Sequence, residues 1–345
     1  MNTDQIFSIA SMSKAITTVG AMMLYEQGKF MLDEPLAKYI PEFKDMKVML
    51  MNESGEKEPF RLVDASSPIT IRHLLTQTSG ITYNFFGQPY ISEIYKENDI
   101  SDGLSQAEGT IGEMVKRLAK LPLIHQPGEQ FSYGLNTDVL GYLIEVISGK
   151  PLDEYLKENI FDPLDMQDTY FFLPKNRVKS LAGLDRENDQ GNLEQVFGKI
   201  DNGAEVYSSD YHYNSTKSHF SGGSGLVSTA SDYYRFLQML LNKGKDGDQV
   251  LLGKKTVELM TAEQSDINDY WARGVGFGFS VSGSPGFTGN PESEGSYGWS
   301  GYFNTYFWVD PKEELIGIIL TQKLPYNPGT IERKFKNAVY QAIVE

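Results

Sequence analysis

Apolar positions recur with a helical period over much of the first two thirds of the chain. From Met12 to Gln27, small and apolar residues are spaced for a helix, and Gly28 predicts its end. Because this segment is apolar on nearly every face, we expect a central, buried helix. Leucine or isoleucine at three- and four-residue intervals predicts four more helices, in "ITIRHLLTQTS", "TIGEMVKRLAKL", "NTDVLGYLIEVISG" and "PLDEYLKENIF".

The pattern changes in the last third of the chain. After a glycine-rich break at 222–225, "STASDYYRFLQMLLNKG" predicts a capped helix. Three aromatic and β-branched segments then predict three antiparallel strands: "GVGFGFSV", "YGWSGYFNTYFWV" and "ELIGIILTQ". We expect the polar "GNPESEGS" to be a mobile loop. The final segment predicts a helix that packs on the sheet through Ile331, Phe335, Val339 and Ile343.

This order of elements predicts an α+β fold in which an antiparallel sheet is flanked by helices. We assign the sheet-containing part to residues 1–32 and 222–345, and a mostly helical region to 33–221. The two parts are expected to form one composite catalytic unit, with the active site between them.

Composition narrows the possible functions. The net charge of −15 comes from 46 acidic and 31 basic residues without a long block of one sign, so a nucleic-acid partner is not expected. With no cysteine and four scattered histidines, we expect neither a metal site nor a cofactor. No apolar run predicts a membrane span, and the polar "MNTDQ" start is typical of a cytoplasmic protein rather than of an exported one.

Ser11 and Lys14 are the first candidates for chemistry. Residues three apart share a helix face, so the amine can reach the hydroxyl. The start of a helix also offers free N–H groups that favour an oxyanion. Since burial disfavours an ammonium ion, a buried lysine can act as the base for a serine nucleophile. The alternative is a capping serine beside a surface lysine. Ser54 and Lys57 repeat the Ser-x-x-Lys spacing in a polar loop, where we attribute it to chance.

Two further segments add to this pair. Tyr133 follows a Pro-Gly turn and immediately precedes a helix, where its phenol can project into a cleft and transfer a proton. The alternative is a half-buried packing tyrosine. Gly301, in "GWSGYFNTYFWVDP", lets a substrate lie against a strand, where a main-chain N–H can pair with that of Ser11 as an oxyanion hole. The segment 83–124 is rich in aromatic residues that either line the pocket or pack in the core: Phe85, Phe86, Tyr90 and Tyr95.

Taken in order, these segments resemble the serine β-lactamase superfamily, in particular its class C-like branch and the family VIII carboxylesterases within it. The resemblance covers nearly the whole chain. It rests on "FSIASMSKAIT", "ITIRHLLTQTSGITY", "QPGEQFSYGLNTDVLGYLIEVISGKPL", "IFDPLDMQDTYF", "SGGSGLVSTASDYYRFLQMLLN", "GVGFGF" and "NTYFWVDP". It implies the fold shared by β-lactamases and penicillin-binding proteins.

The resemblance also implies roles for individual residues. Ser11 would be the acylated nucleophile, Lys14 its base or proton relay, and Tyr133 the second base. Trp299, Ser300 and Gly301 occupy the strand position of the family's Lys-Thr-Gly triad and would bind substrate. The backbone N–H groups of Ser11 and Tyr302 would then form the oxyanion hole.

Two departures from the family pattern concern the substrate. Leu135 stands where lactamases and peptidases have asparagine, and Asn136, one position later, is the candidate substrate contact. Trp299 replaces the lysine or histidine that pairs with a substrate carboxylate. Loss of that cation removes a charge-assisted hydrogen bond, and a flat apolar wall favours uncharged esters.

A third departure concerns the beginning of the chain. Relatives usually have a helix and two sheet strands before the nucleophile, and these are expected to be missing here. We therefore expect an exposed sheet edge, which could support a homodimer. A missing upstream segment would also allow a periplasmic or secreted location.

The sequence thus predicts a serine hydrolase that cleaves short- to medium-chain carboxylic esters through a Ser11 acyl-enzyme. The partner would be a small ester or amide substrate. Alternatives within the superfamily are a β-lactamase, a D-amino-acid peptidase or an acyltransferase. An alternative from a different class is a non-catalytic binding or scaffold protein that keeps the fold.

Overall fold

The computed structural model describes most of the chain, including every candidate catalytic residue. It describes residues 4–52, 58–85, 89–201, 206–264, 274–325 and 331–344. Ser54 and Lys57 of the second Ser-x-x-Lys match, and Phe86 among the candidate pocket aromatics, lie outside these ranges.

The described residues form ten α-helices joined by several shorter turns. The helices are α1 Ser13–Glu26, α2 Ile71–Leu75, α3 Pro89–Glu97, α4 Ile111–Leu118, α5 Asn136–Ser148, α6 Leu152–Leu156, α7 Ala230–Leu241, α8 Lys254–Met260, α9 Pro285–Thr288 and α10 Ile331–Tyr340. The shorter 3₁₀ turns are Ala10–Met12, Leu36–Lys38, Pro41–Phe43 and Val178–Ser180, and Lys157–Phe161 is a π-helical turn. The predicted helices in the first two thirds of the chain are all present.

Sixteen short strands accompany the helices in the described ranges. They are β1 Phe7–Ser8, β2 Lys47–Met51, β3 Phe60–Asp64, β4 Asp185–Glu187, β5 Leu193–Gln195, β6 Lys199–Asp201, β7 Val206–Ser208, β8 Val227–Ser228, β9 Lys245–Asp246, β10 Gln249–Val250, β11 Gly274–Val275, β12 Ser280–Val281, β13 Tyr297–Gly301, β14 Thr305–Asp310, β15 Leu315–Ile319 and β16 Lys323–Leu324. The largest described sheet has five strands in the order β11-β12-β13-β14-β15, and every neighbouring pair is antiparallel.

Helix α1 is central and buried, as its apolar pattern predicts. Every residue from Ser13 to Leu24 is buried. A Cβ added at Gly20 would lie 2.8 Å from Leu156 of α6, so α1 and α6 approach each other closely there. The Tyr155 hydroxyl donates a hydrogen bond to the Gly20 carbonyl at 3.1 Å. Lys14 therefore stands on a helix that its neighbours hold firmly in place.

The prediction of three strands after residue 270 was wrong in number. The first two segments each fold into two strands, so the three segments form all five strands of the sheet. The chain turns within the first segment at Gly278 (φ +78°) and within the second at Asn304 (φ +58°). Both residue types tolerate the left-handed backbone that such tight turns require.

The prediction for the last helix was wrong about the buried face. Ile331 and Phe335 of α10 are 51% and 41% exposed, whereas Lys336 is 2% exposed. The lysine is buried because its ammonium group pairs with Glu292 at 3.1 Å and lies over two rings of β14. Glu292, in the polar segment expected to be a mobile loop, is itself 1% exposed. Of the predicted apolar stripe, Phe335 still contacts the Trp308 ring of β14, with ring centroids 5.9 Å apart, but the most buried side chain of the helix is that of the ion-paired lysine.

The arrangement of the helices around an antiparallel sheet agrees with the predicted α+β class. Two parts of the sequence-based description stay predictions: the division into residues 1–32 with 222–345 against 33–221, and the possible homodimer. Within the described ranges, no helix combines the length and the apolar character needed to cross a bilayer.

Candidate active site

Ser11 lies on a strained turn at the start of α1. Strand β1 pairs antiparallel with β8 and leads directly into this turn. Ala10, just before Ser11, has a φ of +43°, a conformation that costs a residue with a Cβ about 1–3 kcal/mol. Ser11 is partly exposed, while its neighbours on both sides are buried. The turn therefore presents one hydroxyl to the surface in front of a buried helix.

Lys14 is 1% exposed and points its amine towards Ser11. Its Nζ atom lies 3.3 Å from Ser11 Oγ, 2.9 Å from the Tyr83 hydroxyl and 2.9 Å from the carbonyl oxygen of Gly223. Among the described residues these hydrogen-bond partners are all uncharged. The amine is thus fixed by neutral groups at hydrogen-bond distance from the candidate nucleophile.

Tyr83 is a site residue that sequence reasoning missed. It is 2% exposed, and burial raises the pKa of its phenol well above the usual range, so the phenol stays protonated. Tyr83 is the last residue of "ITIRHLLTQTSGITY", a segment that carried the family resemblance but was treated only as a helix and turn. A tyrosine three positions after the Ser79-Gly80 turn was the available signal.

Tyr133, the predicted second proton-transfer group, lies beside Lys14. Its ring centroid is 4.7 Å from Lys14 Nζ, so the amine lies over the ring face. Its hydroxyl accepts a hydrogen bond from Trp299 Nε1 at 3.3 Å. The structure therefore brings together Ser11, Lys14, Tyr133 and Trp299, four of the residues predicted from the sequence.

The end of strand β13 lies against the nucleophile turn. A Cβ added at Gly301 would come within 2.4 Å of the Ile9 carbonyl oxygen, so only glycine fits this close approach. The Thr305 hydroxyl also donates to the Ile9 carbonyl, at 3.4 Å. These contacts bring Ser300, Gly301 and Tyr302 next to the turn that carries Ser11. The oxyanion hole expected from the backbone N–H groups of Ser11 and Tyr302 stays a prediction.

Asn136 does not take the substrate-binding place that the sequence suggested. It is fully buried, and its amide nitrogen donates to Gln77 Oε1 at 2.8 Å and to the Ile81 carbonyl at 3.3 Å. Its side-chain oxygen accepts a hydrogen bond from Ser79. Because these partners use its donors and its acceptor, Asn136 holds the segment before Tyr83 against α5 and is not available to a substrate.

A buried carboxyl group lies behind Lys14. Asp138 is 0% exposed and accepts hydrogen bonds from the Ser221 hydroxyl at 2.5 Å and from the Gly223 N–H at 3.3 Å. Burial raises the pKa of Asp138, while the nearby Lys14 charge acts in the opposite direction. Asp138 thus holds the turn whose Gly223 carbonyl binds Lys14. Nothing in the local sequence pattern distinguished it from an ordinary helix residue.

The other candidate aromatics divide between site and core. Phe85 is partly exposed and stacks on Tyr83 with centroids 5.2 Å apart, so it belongs to the site. Tyr95 is 1% exposed and belongs to the core, and Tyr90 packs against Phe60. In the described parts of the chain, no group of three or more His, Asp or Glu side chains is placed to hold a metal ion.

Comparison with known proteins identifies the class to which this fold and site belong. A sequence profile of the Beta-lactamase family matches residues 1–341. The chain therefore belongs to the Beta-lactamase family, has the β-lactamase and penicillin-binding-protein-like fold, and is a serine hydrolase.

Individual relatives include enzymes that act on esters. Protein Rv1367c of Mycobacterium tuberculosis (strain ATCC 25618 / H37Rv) is 31% identical over 339 residues, which cover 94% of this chain and 79% of that protein. Esterase EstB of Burkholderia gladioli is 28% identical over 350 residues, covering 99% and 83%. The solved structure of EstCE1, described as a hydrolase with promiscuous acyltransferase activity, aligns with a TM-score of 0.83 at 25% identity, covering 99% of this chain and 86% of the other.

Proposed function

We propose that this protein hydrolyses short- to medium-chain carboxylic esters through an acyl-enzyme on Ser11. The observation that carries the proposal is the placement of Lys14 Nζ, 3.3 Å from Ser11 Oγ and bonded to neutral groups. A neutral amine can accept the serine proton, and among the described residues the hydrogen-bond partners of Lys14 include no carboxylate.

In the first half-reaction, Ser11 Oγ attacks the ester carbonyl carbon and its proton passes to Lys14 Nζ. The carbonyl oxygen becomes an oxyanion, which the N–H groups of Ser11 and Tyr302 stabilise. As the C–O bond breaks, the leaving alkoxide takes a proton from the Tyr133 hydroxyl, and Lys14 returns a proton to Tyr133. The alcohol leaves, and Ser11 carries the acyl group.

In the second half-reaction, water takes the place of the alcohol. Tyr133 and Lys14 accept the proton of the attacking water, the ester bond to Ser11 breaks, and Ser11 Oγ regains its proton. The carboxylic acid leaves, and the enzyme returns to its starting state. If an alcohol replaces water in this step, the same groups carry out acyl transfer.

The position of Trp299 favours uncharged esters over the charged substrates of related enzymes. It lies beside Tyr133, with ring centroids 5.6 Å apart, at the position where the family resemblance places a cation. A substrate carboxylate would find an indole ring there in place of an ammonium group. An uncharged ester has no carboxylate to pair with an ammonium group, so it loses no ion pair when an indole ring stands there.

A panel of substrates tests this proposal. We expect efficient cleavage of p-nitrophenyl butyrate and weak or no cleavage of nitrocefin and a D-alanyl amide. Cleavage of only the last two would reject the esterase proposal in favour of a lactamase or peptidase. Addition of an alcohol during ester turnover, with detection of the new ester, measures acyl transfer.

A further inference from the structure

Five aromatic side chains beside the Ser11–Lys14 pair form a continuous row of ring contacts. We call this set the aromatic collar: Trp299, Tyr133, Tyr83, Phe85 and Tyr302. In that order, the centroid distances between neighbours are 5.6, 5.3, 5.2 and 6.1 Å. The two end members, Trp299 and Tyr302, are three positions apart in the chain, at and just after the end of β13.

The aromatic collar lies directly at the catalytic groups. Lys14 Nζ is 4.7 Å from the Tyr133 centroid and 5.2 Å from the Tyr83 centroid. Tyr83 is buried, whereas the other four collar members are partly exposed, as is Ser11. Exposed ring surface therefore lies beside the Ser11–Lys14 pair, and all five collar side chains are uncharged.

We propose that the aromatic collar is a binding site for a planar aryl group in the alcohol part of the ester. This inference rests on the proposed ester hydrolysis and specifies its substrate class. The side of the ester follows from chemistry: Tyr133 must reach the leaving oxygen to protonate it. The group attached to that oxygen consequently lies against Tyr133 and its neighbour Trp299.

An aryl group gains more from this surface than a saturated ring of equal carbon number. Aromatic pairs in offset or tilted contact add to the energy of area burial because the edge of one ring and the face of the other carry opposite partial charge. Ring contacts within the collar also hold its members in place before substrate binds, which lowers the cost of ordering them. The expected advantage of an aryl group is about two- to tenfold.

The first experiment compares benzyl butyrate with cyclohexylmethyl butyrate. The two esters share an acyl group and have primary alcohol leaving groups, so their chemical reactivity is closely matched. We expect kcat/KM to be about two- to tenfold higher for the benzyl ester. A ratio of one or less, with both esters cleaved, overturns the inference and leaves the proposed function intact.

Variants locate the origin of the preference. In Trp299→Leu the benzyl-to-cyclohexylmethyl ratio should fall towards one; any general loss through the missing Trp299–Tyr133 hydrogen bond affects both esters and cancels in the ratio. Phe197, 77% exposed, supplies the matched control, and Phe197→Leu should keep the wild-type ratio. An unchanged ratio in Trp299→Leu would show that the preference arises elsewhere and would overturn the assignment.

A binding measurement keeps the inference testable without turnover. Titration of Ser11→Ala with benzyl alcohol and with cyclohexylmethanol, followed by NMR, should give a lower Kd for benzyl alcohol. If wild type cleaves neither ester, the proposed function fails. The titration then tests by itself whether the aromatic collar binds an aryl group. Equal or reversed Kd values overturn the aryl site.

Discussion

The protein buries two lysines under aromatic rings, and they differ in what faces the ammonium group. Lys14 lies over Tyr83 and Tyr133, and Lys336 lies over Tyr306 and Trp308, each at 4.7 to 5.3 Å from the ring centroids. Exposed fractions of 1% and 2% make them equally buried. Burial and cation–π contact alone therefore do not distinguish a catalytic lysine from a structural one.

The difference lies in the nearest carboxylate. Lys336 pairs with Glu292 at 3.1 Å, and this buried ion pair holds α10 against the sheet. Lys14 instead bonds to hydroxyls and a carbonyl, and the nearby carboxyl group of Asp138 bonds to the N–H of Gly223, whose carbonyl oxygen binds the amine. Among the described residues, the Lys14 amine therefore faces the Ser11 hydroxyl with no carboxylate among its hydrogen-bond partners, whereas the Lys336 amine is joined to one. The predictions below test this contrast, beginning with the largest expected effect.

Replacing Lys14 should abolish most activity, while replacing Lys336 should not. We expect Lys14→Met to lower kcat/KM for p-nitrophenyl butyrate by about 10³-fold, because the serine proton loses its acceptor. Lys336→Met, measured in the same assay at a temperature where it is folded, should stay within about threefold of wild type. Activity of Lys14→Met within tenfold of wild type would contradict the role of Lys14 as base.

Replacing Lys336 should lower the stability of the protein, although it should leave kcat/KM nearly unchanged. Lys336→Met leaves Glu292 buried and unpaired, which should lower the free energy of unfolding by about 3–5 kcal/mol. Urea titration at pH 7 measures it. The double variant Lys336→Met with Glu292→Leu should recover much of the loss, since neither charge remains. A single-variant loss below about 1 kcal/mol would show that the pair is not structural.

Removing the tyrosine hydroxyl that contacts each lysine should have a smaller effect on kcat/KM and tests the contrast one hydrogen bond at a time. Tyr83→Phe removes a group 2.9 Å from Lys14 Nζ, and we expect about a tenfold loss in kcat/KM as the amine loses one of its anchors. Tyr306→Phe removes the equivalent group 3.1 Å from Lys336 Nζ and should leave kcat/KM unchanged. Equal losses of kcat/KM in the two variants would contradict the assignment of a catalytic role to Lys14 and a structural role to Lys336.

The pH dependence of stability tests the carboxyl behind Lys14. Since the pKa of Asp138 is raised in the folded protein, the folded state binds this proton more readily than the unfolded chain does. Its contribution to stability is therefore fully present below the unfolded pKa and is lost as pH rises through the folded pKa. In urea titrations, wild type should gain stability relative to Asp138→Asn as the pH falls from 8 towards the unfolded pKa of about 4. A constant difference would contradict the raised pKa.

Much of the fold could be predicted because it follows from local patterns. The apolar period of α1, the capped helices and the order of motifs were enough for the class of fold. The pairing of Ser11 with Lys14 was predictable too, since residues three apart on a helix are neighbours in any context. Gly301 was expected to let a substrate lie against the strand; the structure shows a close approach there by the Ile9 carbonyl, and the contact with substrate stays a prediction.

The remaining features depend on contacts between distant parts of the chain. Tyr83 and Gly223 are 69 and 209 positions away from Lys14 in the sequence, and no local pattern predicts contacts over such separations. The apolar stripe of α10 contacts the sheet through Phe335, but the sequence did not predict that Lys336 would be the buried residue, because its pairing with Glu292 is a long-range contact. Asn136 was misassigned for a similar reason: a buried amide that joins two segments has the same sequence signal as one that faces a substrate.

The central claim, a nucleophilic Ser11, is tested most directly by intact-mass analysis after treatment with a fluorophosphonate. We expect wild type to gain the mass of one adduct, Ser54→Ala to gain the same mass, and Ser11→Ala to gain none. Folded wild-type protein that remains unlabelled, or a Ser11→Ala variant that is labelled as fully as wild type, would contradict the account.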